Sequence, residues 1–153
     1  ISRGGETPWF LPQELADMRR KMELFGGIVL VGSRTWEIME ANARKNNPLQ
    51  PDFGGRHIHV VSSRQLEVPD YVTLVPDLNE FEKRMERKNN DFWVASGTLY
   101  PVIKPDEVYL TRIEHDFDCD QTYSLSPELQ LAERSDKQTE NGIDYYYEIY
   151  RRA

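Results

Sequence analysis

Cysteine is almost missing from this chain. Cys119 is the only one in 153 residues, so no disulfide can form within the chain, and a reducing, cytoplasmic compartment is expected. No apolar run approaches the roughly 20 residues that a membrane-spanning helix needs, and no secretory leader is recognisable. Positive charge is in short supply: 19 Lys and Arg against 26 Asp and Glu leave a net charge of −7, which argues against nucleic acid as a partner. Internal repeats are absent, and so is the GxGxxG dinucleotide fingerprint. What is present is enough chain for a single domain, 1–153, with a real core.

The pattern alternates strand and helix. Ile28 to Val31 reads as a buried strand, and Thr35 to Arg44 as a helix with Trp36, Met39 and Ala43 on one side and Ser33 as its cap. The Asn-, Pro- and Gly-rich stretch from Asn42 to Gly55 reads as a surface loop. Strands follow at His57 to Val61 and Tyr71 to Val75. Asp77 caps a helix carrying Leu78, Phe81 and Met85. Phe92 to Ala95 is a further strand, and Gly97 begins a short helix that Pro105 must end. Three later strands, near Glu107 to Ile113, Glu128 to Glu133 and Ile143 to Arg151, have no helices between them. Alternation followed by a strand-rich end predicts an α/β fold with a mostly parallel sheet and an antiparallel C-terminal edge.

One residue stands out against this pattern. The run Leu11 to Met22 reads as a helix with Pro12 at its first position and Leu11, Leu15, Met18 and Met22 on one apolar stripe. Glu14 points along the same stripe, whereas Asp17, Arg19, Arg20 and Lys21 form the solvated face. A carboxyl on an apolar face is costly to ionise, and its pKa tends to rise. Such a group suits proton donation or anchoring a cationic ligand; the plain alternative is a helix-edge Glu near the positive end of the dipole.

Three strand ends carry phosphate-suited chemistry. Gly32-Ser33-Arg34-Thr35 and Ala95-Ser96-Gly97-Thr98 each join a strand to a predicted helix, and Ser62-Ser63-Arg64 ends another strand. Backbone N–H groups, hydroxyls and guanidinium groups at such positions suit phosphates, although any one of them alone is better read as a plain capped turn. Three in one α/β domain suit a dinucleotide at the carboxyl edge of the sheet. Other features call for plain readings. His57 and His59 lack a matching third metal ligand, Asp118-Cys119-Asp120 reads as a turn, and Tyr145 to Tyr147 reads as strand packing.

The ordered motifs Pro8-Trp9, Glu14, Gly32 to Trp36, Gly55-Arg56, Ser62-Ser63, Ala95 to Tyr100, Thr111 and the Tyr-rich final strand resemble dihydrofolate reductase along nearly the whole chain. The resemblance implies a three-layer α/β domain with helices on both faces of the central sheet. It implies NADPH-dependent reduction of 7,8-dihydrofolate by a monomer, with antifolates as further ligands. Glu14 then holds the pterin and assists protonation at N5, Thr111 supports Glu14, and Trp9 lies beside the pterin. Leu15, Met18, Phe53 and Val94 contact substrate, Arg56 pairs with the folate α-carboxylate, and Tyr100 lies against the nicotinamide. Gly32, Ser33, Arg34, Thr35, Ser62, Ser63, Arg64, Ala95, Ser96, Gly97, Thr98 and Leu99 take the cofactor.

The chain departs from the family pattern in several places. Ala95-Ser96 stands where the family has Gly-Gly joined by a cis peptide, so either that bond is cis or Ser96-Gly97 makes the turn. Ser33 replaces an arginine, with Arg34 one step later, which leaves the choice of NADPH over NADH open. Cys119 replaces a glycine. The family's first apolar strand, which leads into the dipeptide that Ile1-Ser2 resembles, is missing. The expectation is that the natural N-terminus lies outside this sequence and that a chain truly starting here is poorly active. Two alternatives stay open: a same-fold pyrimidine reductase of riboflavin synthesis, and a weakly active or non-catalytic folate-binding relative.

Overall fold

The computed structural model describes residues 1–47, 49 and 53–153. In chain order the elements are α1 (Pro12–Leu24), β1 (Ile28–Gly32), α2 (Ser33–Asn46), β2 (His57–Val61), β3 (Thr73–Val75), α3 (Leu78–Lys88), β4 (Trp93–Val94), β5 (Glu107–Ile113), β6 (Leu129–Arg134), β7 (Gln138–Glu140) and β8 (Ile143–Arg152). They fall into two compact units, Met18–Leu99 and Ile1–Asp17 with Tyr100–Ala153. The strands form two hydrogen-bonded sheets, one in each unit, where the sequence suggests one central sheet.

The Met18–Leu99 unit holds a parallel sheet in the order β3-β2-β1-β4. Val29, Leu30 and Val31 are all buried, as expected of an interior parallel strand covered on both faces. Val29, Val31, Trp36, Phe53, Ile58, Val60 and Val72 form the core cluster, with Met22, Met39 and Ala43 packed against it. Each large apolar side chain buried this way contributes roughly 1.5–3 kcal/mol. In α3, Phe81 and Met85 are buried one turn apart, Asp77 accepts from the Glu80 N–H, and Asn89 ends the helix in the left-handed region.

Several boundaries differ from the sequence reading. α2 runs on to Asn46, so the surface loop expected from Asn42 starts later; Pro48, Gln50, Pro51 and Asp52 of that loop lie outside the described residues. The cap position of α2 is Gly32 rather than Ser33, and Gly32 has no side chain with which to cap. The strand expected from Tyr71 begins at Thr73, because a turn closed by Val72 N–H to the Pro69 carbonyl precedes it. β4 is only two residues long, since its pairing with β1 covers only Val29↔Trp93 and Leu30↔Val94. Residues 97–102 form successive turns rather than a helix, with Leu99 N–H bonded to the Ser96 carbonyl.

In the other unit β8 is central to an antiparallel sheet, paired with β5, β6 and β7. β7 is a fourth late strand beyond the three expected. It joins β8 through Asn141-Gly142, whose φ values of 52° and 74° suit a type I′ hairpin turn. The stripe read on α1 is only partly realised. Leu11, just before the helix, is buried, but no residue of α1 is, and Leu15 is exposed.

Glu148 on β8 is 1% exposed, in the middle of this sheet. Arg112 Nε donates to it at 2.6 Å, Arg134 Nη2 at 2.5 Å and Tyr150 Oη at 3.2 Å. Burial pushes this carboxyl up, but the hydrogen bonds from Arg112 and Arg134 outweigh burial and hold it below the usual carboxylate range. Its stabilisation is therefore complete above the unfolded value of about 4.3 and is lost as pH falls through the lower folded value. The two guanidinium groups are themselves exposed. Replacing both arginines by Met should thus cost more, about 3–5 kcal/mol, than Glu148→Met, because only the first change strands a buried charge. Urea unfolding at neutral pH checks this order; equal losses would contradict it.

Candidate active site

Glu14 lies in the first turn of α1 and is half-buried, not fully buried. Thr111, in the middle of β5, donates its hydroxyl to Glu14 Oε1 at 2.6 Å. This is the pairing that the sequence led us to expect. Desolvation raises the Glu14 pKa, the Thr111 hydrogen bond lowers it, and the negative charges of Asp17 and Glu140 raise it; the net direction is upward.

The surroundings of this acid were not read from the sequence. Glu140, at the end of β7, accepts from the Gln13 N–H at 2.9 Å and the Glu14 N–H at 3.3 Å. Tyr145 Oη lies 3.5 Å from the same carboxylate. Tyr147 Oη donates to Asp17 at 2.7 Å, and burial, followed by this bond, pushes its phenol up. Asp17 is therefore a buttressed acid rather than part of a solvated face, and the tyrosines of β8 carry polar contacts beyond strand packing. Asn141 Nδ2 donates to the Phe10 carbonyl at 2.8 Å, next to Trp9, whose ring meets that of Phe117 at a tilt with centres 5.5 Å apart. In the same unit Tyr100 meets Tyr123 at 5.3 Å, and both line an open cavity of about 480 Å³ with Ile103 and Thr122. Burial pushes the Tyr100 phenol up.

In the Met18–Leu99 unit the three phosphate-suited turns follow β1, β2 and β4, which are neighbours in the sheet, and so share its carboxyl edge. Two of them touch. Thr35 Oγ1 lies 3.0 Å from Ser96 Oγ, which lies 3.2 Å from Thr98 Oγ1. A Cβ added to Gly32 would come within 3.0 Å of Thr98 Oγ1 and 3.3 Å of Ser96 Oγ, so a glycine is what lets these turns approach. This is also where the strand order reverses, with β2 on one side of β1 and β4 on the other, the usual place for a ligand in such sheets. The third turn stands apart from the hydroxyl cluster: Ser62 Oγ donates to the Arg64 carbonyl and accepts the Arg64 N–H, with Ser63 and Arg64 exposed. Ala95 and Gly97 are half-buried, Ser96 and Leu99 are buried, and Ser33 is half-buried beside exposed Arg34. No cis peptide bond occurs among the described residues, Ala95-Ser96 included.

Several of the residues expected to contact substrate lie in this unit. Gly27 has φ +73°, and a Cβ there would lie 2.3 Å from the Gly55 carbonyl oxygen; the turn before β1 thus rests directly on the turn before Arg56. Arg56 does not stand out at the surface: its side chain is 10% exposed, donates from Nε to the Phe53 carbonyl at 2.9 Å and lies 4.0 Å from Glu23. With Arg19, Met39, Asn42, Ala43 and Phe53 it lines a small cavity of about 80 Å³. Arg19, read as part of a solvated face, therefore shares a cavity with Arg56. Phe53 is mostly core, against Trp36 at 5.5 Å. Met18 and Val94 are half-buried; Leu15, in the other unit, is exposed.

A parallel sheet with hydroxyl-rich turns at its carboxyl edge, and an antiparallel sheet backing a half-dry acid, define an α/β protein. The family model described as dihydrofolate reductase matches residues 1–152, and the chain belongs to that family. It is 31% identical to a dihydrofolate reductase of Heliothis virescens over 172 aligned positions, covering 99% of this chain and 90% of the relative. With the Bacillus subtilis dihydrofolate reductase it shares 25% identity over 158 positions, covering 99% of this chain and 87% of that one.

The geometry around Glu14 sets a titration test. Because folding raises its pKa, Glu14 costs stability as pH climbs from the unfolded carboxylate value through the folded one, and the cost is complete above the latter. Glu14→Gln should therefore be more stable than the parent at neutral pH and no more stable in acid, where both side chains are uncharged. Carbon NMR of the carboxyl should show Thr111→Val moving its titration further up and Asp17→Asn moving it down. A titration indifferent to both changes would contradict the causes assigned.

Proposed function

We propose that this chain reduces 7,8-dihydrofolate to 5,6,7,8-tetrahydrofolate with NADPH. The observation that carries this reading is the Thr111–Glu14 hydrogen bond at 2.6 Å, in a chain of this family. Glu14 is half-dry, and its proton is held to higher pH than usual. A carboxyl so placed anchors the pterin's amino group and ring nitrogen and assists protonation at N5, the step that completes the reduction. Trp9 lies beside the pterin. Arg56 and Arg19 offer two guanidinium groups at one cavity, which suits the carboxylates of a folate glutamate tail. Glu23, at 4.0 Å, is a distant partner that a ligand carboxylate can replace.

The carboxyl edge of the parallel sheet supports the cofactor assignment. The approach that Gly32 permits, the uncapped first turn of α2 and the hydroxyls of Ser33, Thr35, Ser62, Ser63, Ser96 and Thr98 fit a phosphate-bearing dinucleotide. Arg34 and Arg64 are the charges for its 2′-phosphate. Ala95, Gly97 and Leu99 complete this edge, and Val94 contacts the substrate. When bound, NADPH supplies the hydride.

Two kinetic experiments test the reading. Arg56→Leu should raise the KM for dihydrofolate strongly and leave that for a dihydropterin without the glutamate tail nearly unchanged; equal impairment on both would remove the tail anchor. Arg34→Leu with Arg64→Leu should weaken NADPH by about 1.5–3 kcal/mol, roughly ten- to over a hundredfold, and NADH far less. Equal losses for the two cofactors would overturn the assignment of these charges.

A further inference from the structure

We infer that Glu140 is a positioning residue for Glu14: its carboxylate ties the first turn of α1 to the β7–β8 hairpin and places a fixed negative charge beside the acid. The inference rests on the proposed role of Glu14 and extends it. Leu11, just before the helix, has no side-chain acceptor, and Glu140 supplies one to the Glu14 N–H, 126 residues away from it. Its two oxygens are used separately, one for Gln13 N–H and one for Glu14 N–H. The hairpin that carries it is well fixed. Glu140 pairs with Ile143 across the Asn141-Gly142 turn, and Thr139 Oγ1 donates to Asp144 at 2.6 Å. The backbone of the acid is thus held from β7 while its carboxyl is held from β5 by Thr111.

The charge has a second effect. The titratable groups facing Glu14 are Asp17 on its own helix, Glu140 on β7 and Tyr145 on β8, with Tyr147 engaging Asp17. Both neighbouring acids bring negative charge to Glu14: Asp17 accepts from Gln13 Nε2 and the Tyr147 hydroxyl, and Glu140 from backbone N–H groups and Tyr145. Both therefore oppose ionisation of Glu14. The protonated form needed for catalysis persists to higher pH than Thr111 and burial alone would allow.

Two substitutions separate anchoring from charge. Glu140→Gln keeps an acceptor oxygen for the helix and removes the charge; Glu140→Ala removes both. Turnover measured across pH should show the high-pH decline moving to lower pH in Glu140→Gln, with the thermal midpoint between those of the parent and Glu140→Ala because the amide keeps one of the two acceptor oxygens. Glu140→Ala should show the same displacement and lose about tenfold in turnover at neutral pH, because the acid is no longer held in place. A decline at unchanged pH in Glu140→Gln overturns the inference. Glu14→Gln serves as the control: if it keeps full turnover, the role of Glu14 itself fails. If it loses turnover while Glu140→Gln leaves the pH profile unmoved, only the role of Glu140 fails.

Discussion

The residues around the antiparallel sheet are organised by one constraint, a carboxyl that must be kept half-dry without being neutralised by a cation. Glu14 meets Thr111, a donor too weak to offset desolvation, and two acids, Asp17 and Glu140. The neighbours serve this arrangement. Tyr147 occupies Asp17, Tyr145 approaches Glu140, and the Asn141-Gly142 turn brings Glu140 onto the start of α1. Such a cluster costs stability once Glu14 ionises. Its presence in a small domain is the kind of local cost that accompanies a working site.

Glu148 shows the opposite solution in the same sheet. Both glutamates lose water, and desolvation is the largest influence on each. Glu148 receives two guanidinium groups and a phenol, which hold its pKa down; Glu14 receives a hydroxyl and two negative neighbours, and its pKa is raised. Burial does not decide the outcome. The sign of the nearest charge does, and it moves the two carboxyls in opposite directions.

The parallel unit works by close backbone approach. Gly32 allows the turn after β1 to meet the turn after β4, and Gly27 allows the turn before β1 to lie on the one that positions Arg56. β1 therefore carries phosphate-suited chemistry at its carboxyl end and supports the Arg19–Arg56 cavity from its amino end. Its buried Val29-Leu30-Val31 core is what keeps both ends in register.

Much of this was legible in the residues alone. The start of α1 at Pro12, the inward side of α2 with Trp36, Met39 and Ala43, the Asp77 cap, the bounds of β5 and the Glu14–Thr111 pairing follow from periodicity, cap chemistry and motif order. These are local quantities, or resemblances carried by local motifs. What the residues left undecided was non-local. β4 shrank to two residues because a strand's length is set by its partner, and Gly97 opened turns rather than a helix. β7 was missed although Asn141-Gly142 announced a hairpin, because Gln138-Thr139-Glu140 carries no apolar alternation. The exposure of Leu15, the place of Arg19 beside Arg56 and the hold of Glu140 on α1 depend on chain segments far apart in sequence. The sequence by itself determined which side chains could do this chemistry. Only the tertiary structure decided their charge state and partners, because desolvation and Coulomb interactions sum over every segment brought near.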